Sequence, residues 1–391
     1  MKYFCAGESH GKGLVAVVTG VPAGLAVSEQ HINADLRRRQ AGFGRGGRQQ
    51  IEKDSACVLS GIRFGKTIGS NVSMLVKNDD WKNWEEDMQP FGAAPSTLTR
   101  EVTPRPGHGD LEAAMKTNTD DCRNVIEYSS ARSTAICVAA SGIAREFLAE
   151  VGVEIFSYTT SIGRARLQEA NPCEMALKYT PASIETSCVR CPDAKVSERM
   201  KTEIETAMRN KDSLGGTFRV VVSGLLPGIG GFASCEERLS SQIASAMFGI
   251  PSVKGVEFGL GFEAARMQGS AVQDEIALDK LKHEFTHKSN NAGGIECGLT
   301  TGMPLIVTCA LKPIPTLMQP LETVNLDTLE TAQALKERSD VCAVPAAGVV
   351  GEAKVAFVLA NAYLKKFGCD NMADIKASIQ AYKQRLNTMA R

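Results

Sequence analysis

The stretch SARSTAICVAASGIAREFLAEV, residues 130–151, decides the fold class of this protein. Apolar residues such as Ala135, Ala139, Ile143 and Phe147 recur in it at intervals of four. That spacing places them on one face of an α-helix. Small residues fill the middle of the stretch, so we predict a long helix here with another helix packed closely against it.

Segments on both sides of this helix predict a mixture of strands and helices. Four prolines make residues 78–128 irregular in this prediction, and residues 163–215 are polar and loosely constrained. Because strands and helices do not alternate strictly, an α+β fold is favoured over a doubly wound parallel sheet. The predicted strands cover residues 14–19, 56–59, 71–76, 217–223 and 305–311, and the predicted helices cover residues 28–39, 193–210, 234–248, 351–367 and the last 20 residues.

The composition is that of an ordinary globular protein with balanced charge. The chain has 391 residues, with 44 lysines and arginines against 44 aspartates and glutamates. This balance excludes a chain-wide basic field for nucleic acid or an anionic membrane, so anion binding must come from local clusters. No stretch approaches 18 uninterrupted apolar residues, so no transmembrane helix is expected, and the first residues lack a signal-peptide pattern.

Cysteine usage indicates a reducing compartment. Many of the twelve cysteines lie inside apolar runs, which is typical of reduced thiols in a cytoplasmic protein. Cys188 and Cys191 have the spacing of a zinc or redox pair, but no second pair completes a zinc site. A surface loop with two free thiols is the simpler interpretation.

Two of the five histidines stand between glycines. His10 lies in GESHG, residues 7–11, and His108 lies in RPGHGD, residues 105–110. Flanking glycines permit positive φ and the close approach of a ligand. Imidazole changes its proton state near neutral pH, so one proton transfer at each histidine is the functional interpretation. Turn histidines bonded to the backbone are the structural alternative, and only Glu8 near His10 favours a metal.

The strongest charge feature is RRRQAGFGRGGR, residues 37–48, which contains five arginines and no acid. Guanidinium groups bind phosphate and carboxylate through paired hydrogen bonds, and the glycines let the loop fold around a small anion. A solvated basic loop and a nucleic-acid patch are the alternatives. The zero net charge and the single aromatic residue in the loop disfavour nucleic acid, so we predict a small phosphate- or carboxylate-bearing ligand.

Other polar residues stand at turns that suit ligand binding. Ser129 and Ser130 open the long helix, where free N–H groups bind anions, although N-capping explains them as well. Residues 290–302 have the composition of a cofactor cradle, and the prolines of residues 312–316 fix a binding edge. Further arginines at turns are Arg105, Arg132 and Arg338.

Two segments imitate nucleotide-binding motifs but fail on spacing. The sequence GIRFGKT, residues 61–67, is one residue short of a P-loop and precedes a predicted strand rather than a helix. The sequence GLGF, residues 259–262, lacks the third glycine of a dinucleotide fingerprint.

Taken together, these segments resemble the chorismate synthase family from about residue 6 to residue 368. No single motif would suffice, but so many in one order make a chance match untenable. The matching segments are GESHG (7–11), RRRQAGFGRGGR (37–48), RPGHGD (105–110), SSAR (129–132), VKGVEFGLGFEAARMQGS (253–270), NNAGGI (290–295), KPIPT (312–316) and RSDVCAVP (338–345).

The resemblance implies an activity and a cofactor. It implies a lyase that converts 5-enolpyruvylshikimate 3-phosphate to chorismate by 1,4-anti elimination of phosphate, the last step of the shikimate pathway. Reduced FMN is the implied cofactor, without net redox change, and NADPH enters only indirectly as a flavin reductant. No insert would house a nicotinamide site, so we expect an external reductase.

The family's residue roles fall on matching positions. His10 is implied to protonate the reduced flavin, His108 to protonate the leaving phosphate, and Asp340 to lie near flavin N5 and help it act as a base. Substrate or cofactor phosphates and carboxylates are implied to contact Arg39, Arg45, Arg48, Arg105, Arg132 and Arg338. Cofactor contacts are implied for Ser129, Ser130, Cys297, Lys312, Pro313, Ile314, Pro315, Thr316 and Arg338, and, from a neighbouring subunit, for Pro251 and Ser252. No metal is implied.

The resemblance also implies the architecture and assembly. It implies a homotetramer of single-domain chains, in which residues 1–391 form a layered α+β sandwich with central helices between antiparallel sheets and a polar helical tail from about residue 370. One departure bears on the cofactor: Cys297 stands where a flavin-loop glycine is common, and a need for positive φ there would alter flavin affinity. Other departures from the family pattern are Gly109, Tyr128, Ser133 and Ala346.

Two other functions compete with this interpretation. A flavin-dependent reductase of a phosphorylated small molecule would consume NADPH in proportion to its product. A non-catalytic anion-binding protein descended from an enzyme would bind the substrate without releasing phosphate. The joint presence of His10, His108 and Asp340 argues against the second alternative.

Overall fold

Two antiparallel sheets flank the central helices of the structure, a computed structural model that describes residues 1–47, 51–169, 171–337 and 339–390. The first sheet has four strands in the order β1-β2-β6-β3, and the second has five in the order β10-β15-β9-β7-β8. The remaining strands form two-stranded hairpins. The strands are β1 Lys2–Ala6, β2 Gly13–Thr19, β3 Ala56–Ser60, β4 Ile62–Arg63, β5 Lys66–Thr67, β6 Val72–Lys77, β7 Glu154–Ile162, β8 Ala165–Arg166, β9 Gly216–Ser223, β10 Val253–Phe258, β11 Ile276–Asp279, β12 Glu284–His287, β13 Ile295–Glu296, β14 Leu299–Thr300, β15 Leu305–Leu311, β16 Glu322–Val324 and β17 Thr331–Gln333.

Two long helices fill the space between the sheets. Helix α4 (Thr134–Glu150) packs on β2 and β6 of the first sheet, α10 (Val344–Phe367) packs on β7 and β9 of the second, and the two helices pack on each other. One apolar core therefore runs through all three layers, which is the α+β sandwich that the resemblance implies. The helices are α1 Glu29–Gln40, α2 Asp110–Thr117, α3 Arg123–Ser129, α4 Thr134–Glu150, α5 Pro172–Ala176, α6 Pro181–Glu185, α7 Ala194–Arg209, α8 Leu239–Phe248, α9 Gly269–Val272, α10 Val344–Phe367 and α11 Met372–Met389.

Small residues on α4 permit the close helix contact that its sequence predicts. A Cβ atom on Gly142 would lie 2.5 Å from Cγ1 of Ile32 on α1, a distance that non-bonded carbons do not adopt. Ile32 and Ile143 are both fully buried at this contact layer. The predicted helix over residues 130–151 is therefore confirmed, with a short 3₁₀ turn at Ala131–Ser133 before α4 begins.

Three sequence-based predictions need correction. Helix α8 begins at Leu239 rather than at residue 234, because its buried stripe begins there and Arg238 before it has an extended backbone. Helix α10 begins at Val344 rather than at residue 351, because a proline is tolerated in the first turn and burial outweighs the low helix propensity of its glycines. Residues 78–128, predicted to be irregular, contain α2 and α3.

Helix α10 is long and apolar enough to cross a membrane, but 83% of its most apolar window is buried inside the protein. Its two faces contact α4 and the second sheet. These contacts are those of a core helix. All twelve cysteines are free thiols, with Cys188 exposed and Cys191 buried.

Candidate active site

One cavity of about 630 Å³ opens where the ends of several elements meet. The last turn of α1, the turn before α4, the first turns of α10 and the loop after β15 all contribute to its wall. Among the described residues, basic side chains on the wall outnumber acidic ones, so the cavity suits an anionic ligand. The basic residues are Arg39, Arg45, Arg105, Arg123, Arg132, Lys312 and Lys336, and the acidic ones are Glu101, Glu337 and Asp340.

His10 lies on the cavity wall in the turn between β1 and β2. Gly7 makes this turn possible, because it has φ +122° and a Cβ atom there would lie 2.5 Å from a backbone oxygen. The imidazole of His10 is packed against the Trp84 indole, with 4.0 Å between the ring centroids. Its Nδ1 lies 2.8 Å from Oε1 of the buried carboxylate Glu127. His10 is therefore fixed in place rather than freely presented.

The Glu127 carboxylate is held in its ionised form. Burial alone would raise the pKa of Glu127, but hydrogen bonds from His10 and the nearby charge of Arg123 outweigh burial, so that the pKa is lowered. The Arg123 guanidinium lies 3.4 Å from the same carboxylate. This corner of the cavity thus carries a permanent negative charge behind His10.

His108 lies on the wall of the same cavity and is also paired with a buried carboxylate. Its Nδ1 lies 2.6 Å from Oδ1 of Asp110, the first residue of α2. Arg105 donates to the other oxygen of Asp110 through Nε at 2.8 Å and to the Thr316 hydroxyl at 2.8 Å. Burial opposes ionisation of Asp110, but the bonds from His108 and Arg105 outweigh it and hold its pKa below the usual range.

Asp340 connects two loops at the cavity. Its Oδ1 accepts a 2.6 Å hydrogen bond from the Gly46 backbone N–H, and its Oδ2 lies 2.9 Å from Nη1 of Arg45. A Cβ atom on Gly46 would lie 2.7 Å from the Ser339 carbonyl oxygen, so this position requires glycine. The Arg-rich loop therefore packs against the residues that present Asp340.

Arg39 and Arg132 reach the cavity but are saturated by protein partners. They share the buried Asp54, at 3.3 Å from Arg39 and 2.5 Å from Arg132. Arg132 also donates to Asn78 at 2.9 Å, and Arg39 donates to the Thr134 hydroxyl at 2.9 Å. Burial lowers the pKa of Arg39 to about 10, so its guanidinium is still charged at neutral pH. Both arginines anchor the cavity wall and contribute to its positive field.

Arg45 differs from these two arginines because its Nε is buried without a hydrogen-bond partner among the described residues. An orphaned guanidinium N–H beside a cavity is unfavourable unless a ligand accepts it. The Arg45 donor therefore fits an anionic or carbonyl-bearing ligand in this cavity.

The predicted cofactor residues divide into three groups. Ser129, Ser130, Lys312, Ile314, Pro315 and Thr316 line the cavity, and Pro313 lies within the same loop. Pro251 and Ser252, expected from a neighbouring subunit, line the cavity of their own chain. Cys297 does not line this wall, and Arg48 and Arg338 lie outside the described residues.

Cys297 instead occupies the two-residue turn between β13 and β14. It is exposed and has φ +50°, and Gly298 after it has φ +83°. Two consecutive positive φ values are typical of a tight hairpin turn, where glycine or asparagine is preferred. The departure from a family glycine therefore places a non-glycine residue in a left-handed conformation at the surface.

Sequence reasoning missed Trp84, Arg123, Glu127 and Glu337. The Arg123 side chain lies 2.6 Å from Glu337 and packs over the Trp84 ring at 5.1 Å. One signal was present: Arg123 and Glu127 stand four residues apart, the spacing of an ion pair on a helix. Because four prolines led to the prediction that residues 78–128 are irregular, that helix was not predicted.

The donor set of the cavity fits a flavin together with an acidic ligand. Apolar side chains of Ile250, Leu311, Ile314 and Val350 line part of the wall, which suits a flat ring. Hydroxyls and cations line the rest, which suits phosphate and carboxylate groups. Two histidines paired with carboxylates add groups that move protons.

Comparisons with known proteins agree on one family. The family model described as chorismate synthase matches residues 1–364. Chorismate synthase from Aquifex aeolicus is 47% identical over 98% of this chain and 97% of its own length. The protein of the same name from Rubrobacter xylanophilus is 48% identical over 99% and 97%. A crystal structure of chorismate synthase superimposes with a TM-score of 0.79 at 37% identity, covering 99% of this chain and 98% of that one.

Proposed function

The chain belongs to the chorismate synthase family, and we propose that the cavity lined by His10, His108 and Asp340 is its active site. The chain is a lyase of the last step of the shikimate pathway, which forms chorismate from 5-enolpyruvylshikimate 3-phosphate. In this reaction the C3–O bond to phosphate and the C6–H bond break, and a new carbon–carbon double bond forms. The reaction has no net redox change.

The basic wall binds the substrate anions in this proposal. Arg45 and Arg105 are the first candidates, because the Nε of Arg45 lacks a partner among described residues and Arg105 lies within 3.4 Å of His108. Arg39 and Arg132, bound to Asp54, act through their position and charge. Arg48 and Arg338 are proposed as further anion-binding residues on their place in the family motifs alone.

His108 donates the proton to the leaving phosphate in this proposal. Because Asp110 is ionised and can only accept, Nδ1 of His108 is the donor in this pair, and Nε2 is the ring nitrogen that exchanges a proton with the phosphate. The neighbouring Arg105 stabilises the charge that develops on the phosphate oxygens. His10 and Asp340 lie on the wall of the same cavity. In this proposal His10 would give a proton to the reduced flavin, and Asp340 would help the flavin to act as a base.

Reduced FMN is the proposed cofactor, and when bound it would supply transient electron density and an acceptor for the C6 hydrogen. Residues that would hold it are Ser129, Ser130, Pro251, Ser252 and the loop of residues 312–316. The apolar wall and the orphaned donor of Arg45 support this fit. Cys297 is proposed as a cofactor residue only if a second chain brings its hairpin to the cavity.

The convergence of both predicted histidines and Asp340 on one basic cavity carries this proposal. The test is an anaerobic assay with purified protein, dithionite-reduced FMN and the enolpyruvyl substrate, in which phosphate and chorismate are measured together. We expect equimolar products from wild type and losses of at least a hundredfold in His10→Ala and His108→Ala. His31→Ala is the matched control, since His31 is exposed and pairs with Glu146 away from the cavity.

The same assay separates the rival functions. Consumption of NADPH in proportion to product would favour a reductase, and substrate binding without phosphate release would favour a non-catalytic binding protein. Full activity in both cavity-histidine variants would refute the proposed site while leaving the family assignment intact.

We also propose a homotetramer of single-domain chains. The outward face of the first sheet supports self-association, because Phe4, Val15 and Val17 are exposed on strands whose opposite face is half-buried in β1 and buried in β2. Phe4 and Val17 lie directly across the β1–β2 ladder from each other, and outward faces of antiparallel sheets are usually polar. Val17→Lys should shift the mass measured by light scattering to a smaller species, and an unchanged mass would exclude this face.

The main apolar core, which extends through both sheets and the helices between them, supports one domain, and the twelve free cysteines support a cytoplasmic location. Fractionation of cells that express the tagged full-length chain tests the location, with recovery outside the cytosol as the contrary result.

A further inference from the structure

We propose that Glu127 is a positioning residue for His10, which holds the imidazole in the tautomer with its proton on Nδ1. The inference rests on the proposed function in one respect: it assumes that His10 takes part in the reaction. The position of the proton is a separate claim about the folded chain.

The contact between the two residues has two parts. Oε1 of Glu127 lies 2.8 Å from Nδ1 of His10, and Oε2 accepts a 2.7 Å hydrogen bond from the His10 backbone N–H. Both oxygens of one carboxylate thus hold one residue, at its backbone and at its ring. His10 is 7% exposed and Glu127 is 4% exposed, so water competes weakly for these bonds.

The charge state of Glu127 decides which ring nitrogen carries the proton. An ionised carboxylate has no donor and only accepts hydrogen bonds. Nδ1 of His10 must therefore be the donor, in both the neutral and the cationic form of the ring. The nitrogen that gains or loses a proton is then Nε2, and a flip of the ring would break the Nδ1 bond.

Arg123 and Trp84 hold the Glu127 carboxylate and its neighbours in place. Arg123 lies one helical turn before it on α3 and 3.4 Å from its Oε1. The Trp84 ring packs against the imidazole and the Arg123 guanidinium, so it covers the side chains on both sides of the carboxylate. A carboxylate that is held by these contacts is suited to orienting a neighbour rather than to exchanging protons itself.

Glu127→Gln is the direct test, because an amide offers only one acceptor where His10 presents two donors. We expect kcat to fall about ten- to a hundredfold, while KM for the substrate changes less than about threefold. Glu127→Asp retains the charge but is one methylene shorter, and should recover part of the lost kcat.

The matched control is Glu146→Gln. Glu146 accepts from Nδ1 of His31 at 2.8 Å, the same type of pair, but outside the cavity. It should leave kcat unchanged. Nitrogen NMR of histidine-labelled protein, with signals assigned through His10→Ala and His31→Ala, reports the proton position in each ring without any cofactor or substrate.

The expected spectrum of the wild type shows His10 with its proton on Nδ1, and Glu127→Gln loses that signature. A purely structural role would lower the thermal midpoint of Glu127→Gln and leave kcat and the His10 signal of the folded protein unchanged, which would overturn the proposal. If Glu127→Gln does not fold, the spectra of the wild type and of Glu127→Asp test whether the His10 proton lies on Nδ1. If the wild type forms no chorismate, the proposed function is refuted. If the wild-type spectrum lacks the signal of a proton on Nδ1 of His10, only this inference is refuted.

Discussion

Replacing Glu352 by glutamine should destabilise the protein by several kcal/mol while leaving the cavity residues in place. Glu352 is a fully buried carboxylate in α10, between the two sheets. It lies 2.8 Å from Arg38, 2.9 Å from Arg145 and 3.3 Å from Arg190, and accepts a 2.6 Å bond from the Ser157 hydroxyl. The cluster therefore ties α1 and α4 to the second sheet.

The magnitude follows from the pKa of Glu352. Burial alone would raise it, but the three guanidinium groups outweigh burial and lower it from 4.5 to about 2. A carboxyl group whose pKa is lower in the folded state stabilises the fold above its unfolded pKa, and this contribution is lost as the pH falls from about 4.5 to about 2. The difference corresponds to about 3 kcal/mol at neutral pH. Removal of one charge from a buried network typically costs about 3–5 kcal/mol, which agrees.

Urea unfolding at fixed protein concentration measures this effect at pH 7 and at pH 4. The gap in free energy of unfolding between wild type and Glu352→Gln should be about a quarter smaller at pH 4, because the unfolded carboxyl is then mostly protonated. Glu237→Gln is the control, since it removes a surface pair with Lys365 of the same helix and should cost less than about 1 kcal/mol. An equal cost for both variants, or a gap that widens at pH 4, would refute the reasoning.

Three further predictions concern the cavity. Asp110→Asn should lower kcat at least about tenfold through His108, as measured by chorismate formation, and an unchanged kcat would contradict the pairing. Gly46→Ala should lower the free energy of unfolding by about 1–3 kcal/mol and displace Asp340, because the added Cβ atom would lie 2.7 Å from a backbone oxygen. A urea midpoint equal to that of the wild type would contradict this prediction. Lys312→Met should weaken FMN binding in a fluorescence titration by about tenfold at low salt and less at high salt, and equal affinities at low salt would exclude a role for this cation.

The sequence predicted the core of the fold wherever a buried stripe had a clear period. The helix over residues 130–151 and the strands near residues 14–19 and 305–311 were predicted from local spacing, and the structure confirms them. The start of α10 was missed because Pro345 and the glycines after it have low helix propensity. Packing between the two sheets stabilises that turn, and no local pattern reports it.

Candidate site residues were predictable where glycines or clustered arginines mark a loop. His10, His108 and Arg45 belong to such motifs, Asp340 was implied by the family resemblance alone, and the structure places all four at one cavity. Glu127 has no such marker, since a glutamate near the end of a helix is ordinarily a surface residue. Its importance arises only from burial beside His10, more than 100 positions away in the chain.

The sequence by itself determined the family, the α+β class and the residue types available for binding anions and moving protons. It did so because periodicity, turn chemistry and ordered motifs are local properties of the chain. Only the tertiary structure decided which charges are already paired within the protein, as in Arg39 and Arg132 on Asp54, and which carboxylate holds each histidine. These outcomes depend on burial and on distances between segments far apart in sequence, and both are set by how the layers pack.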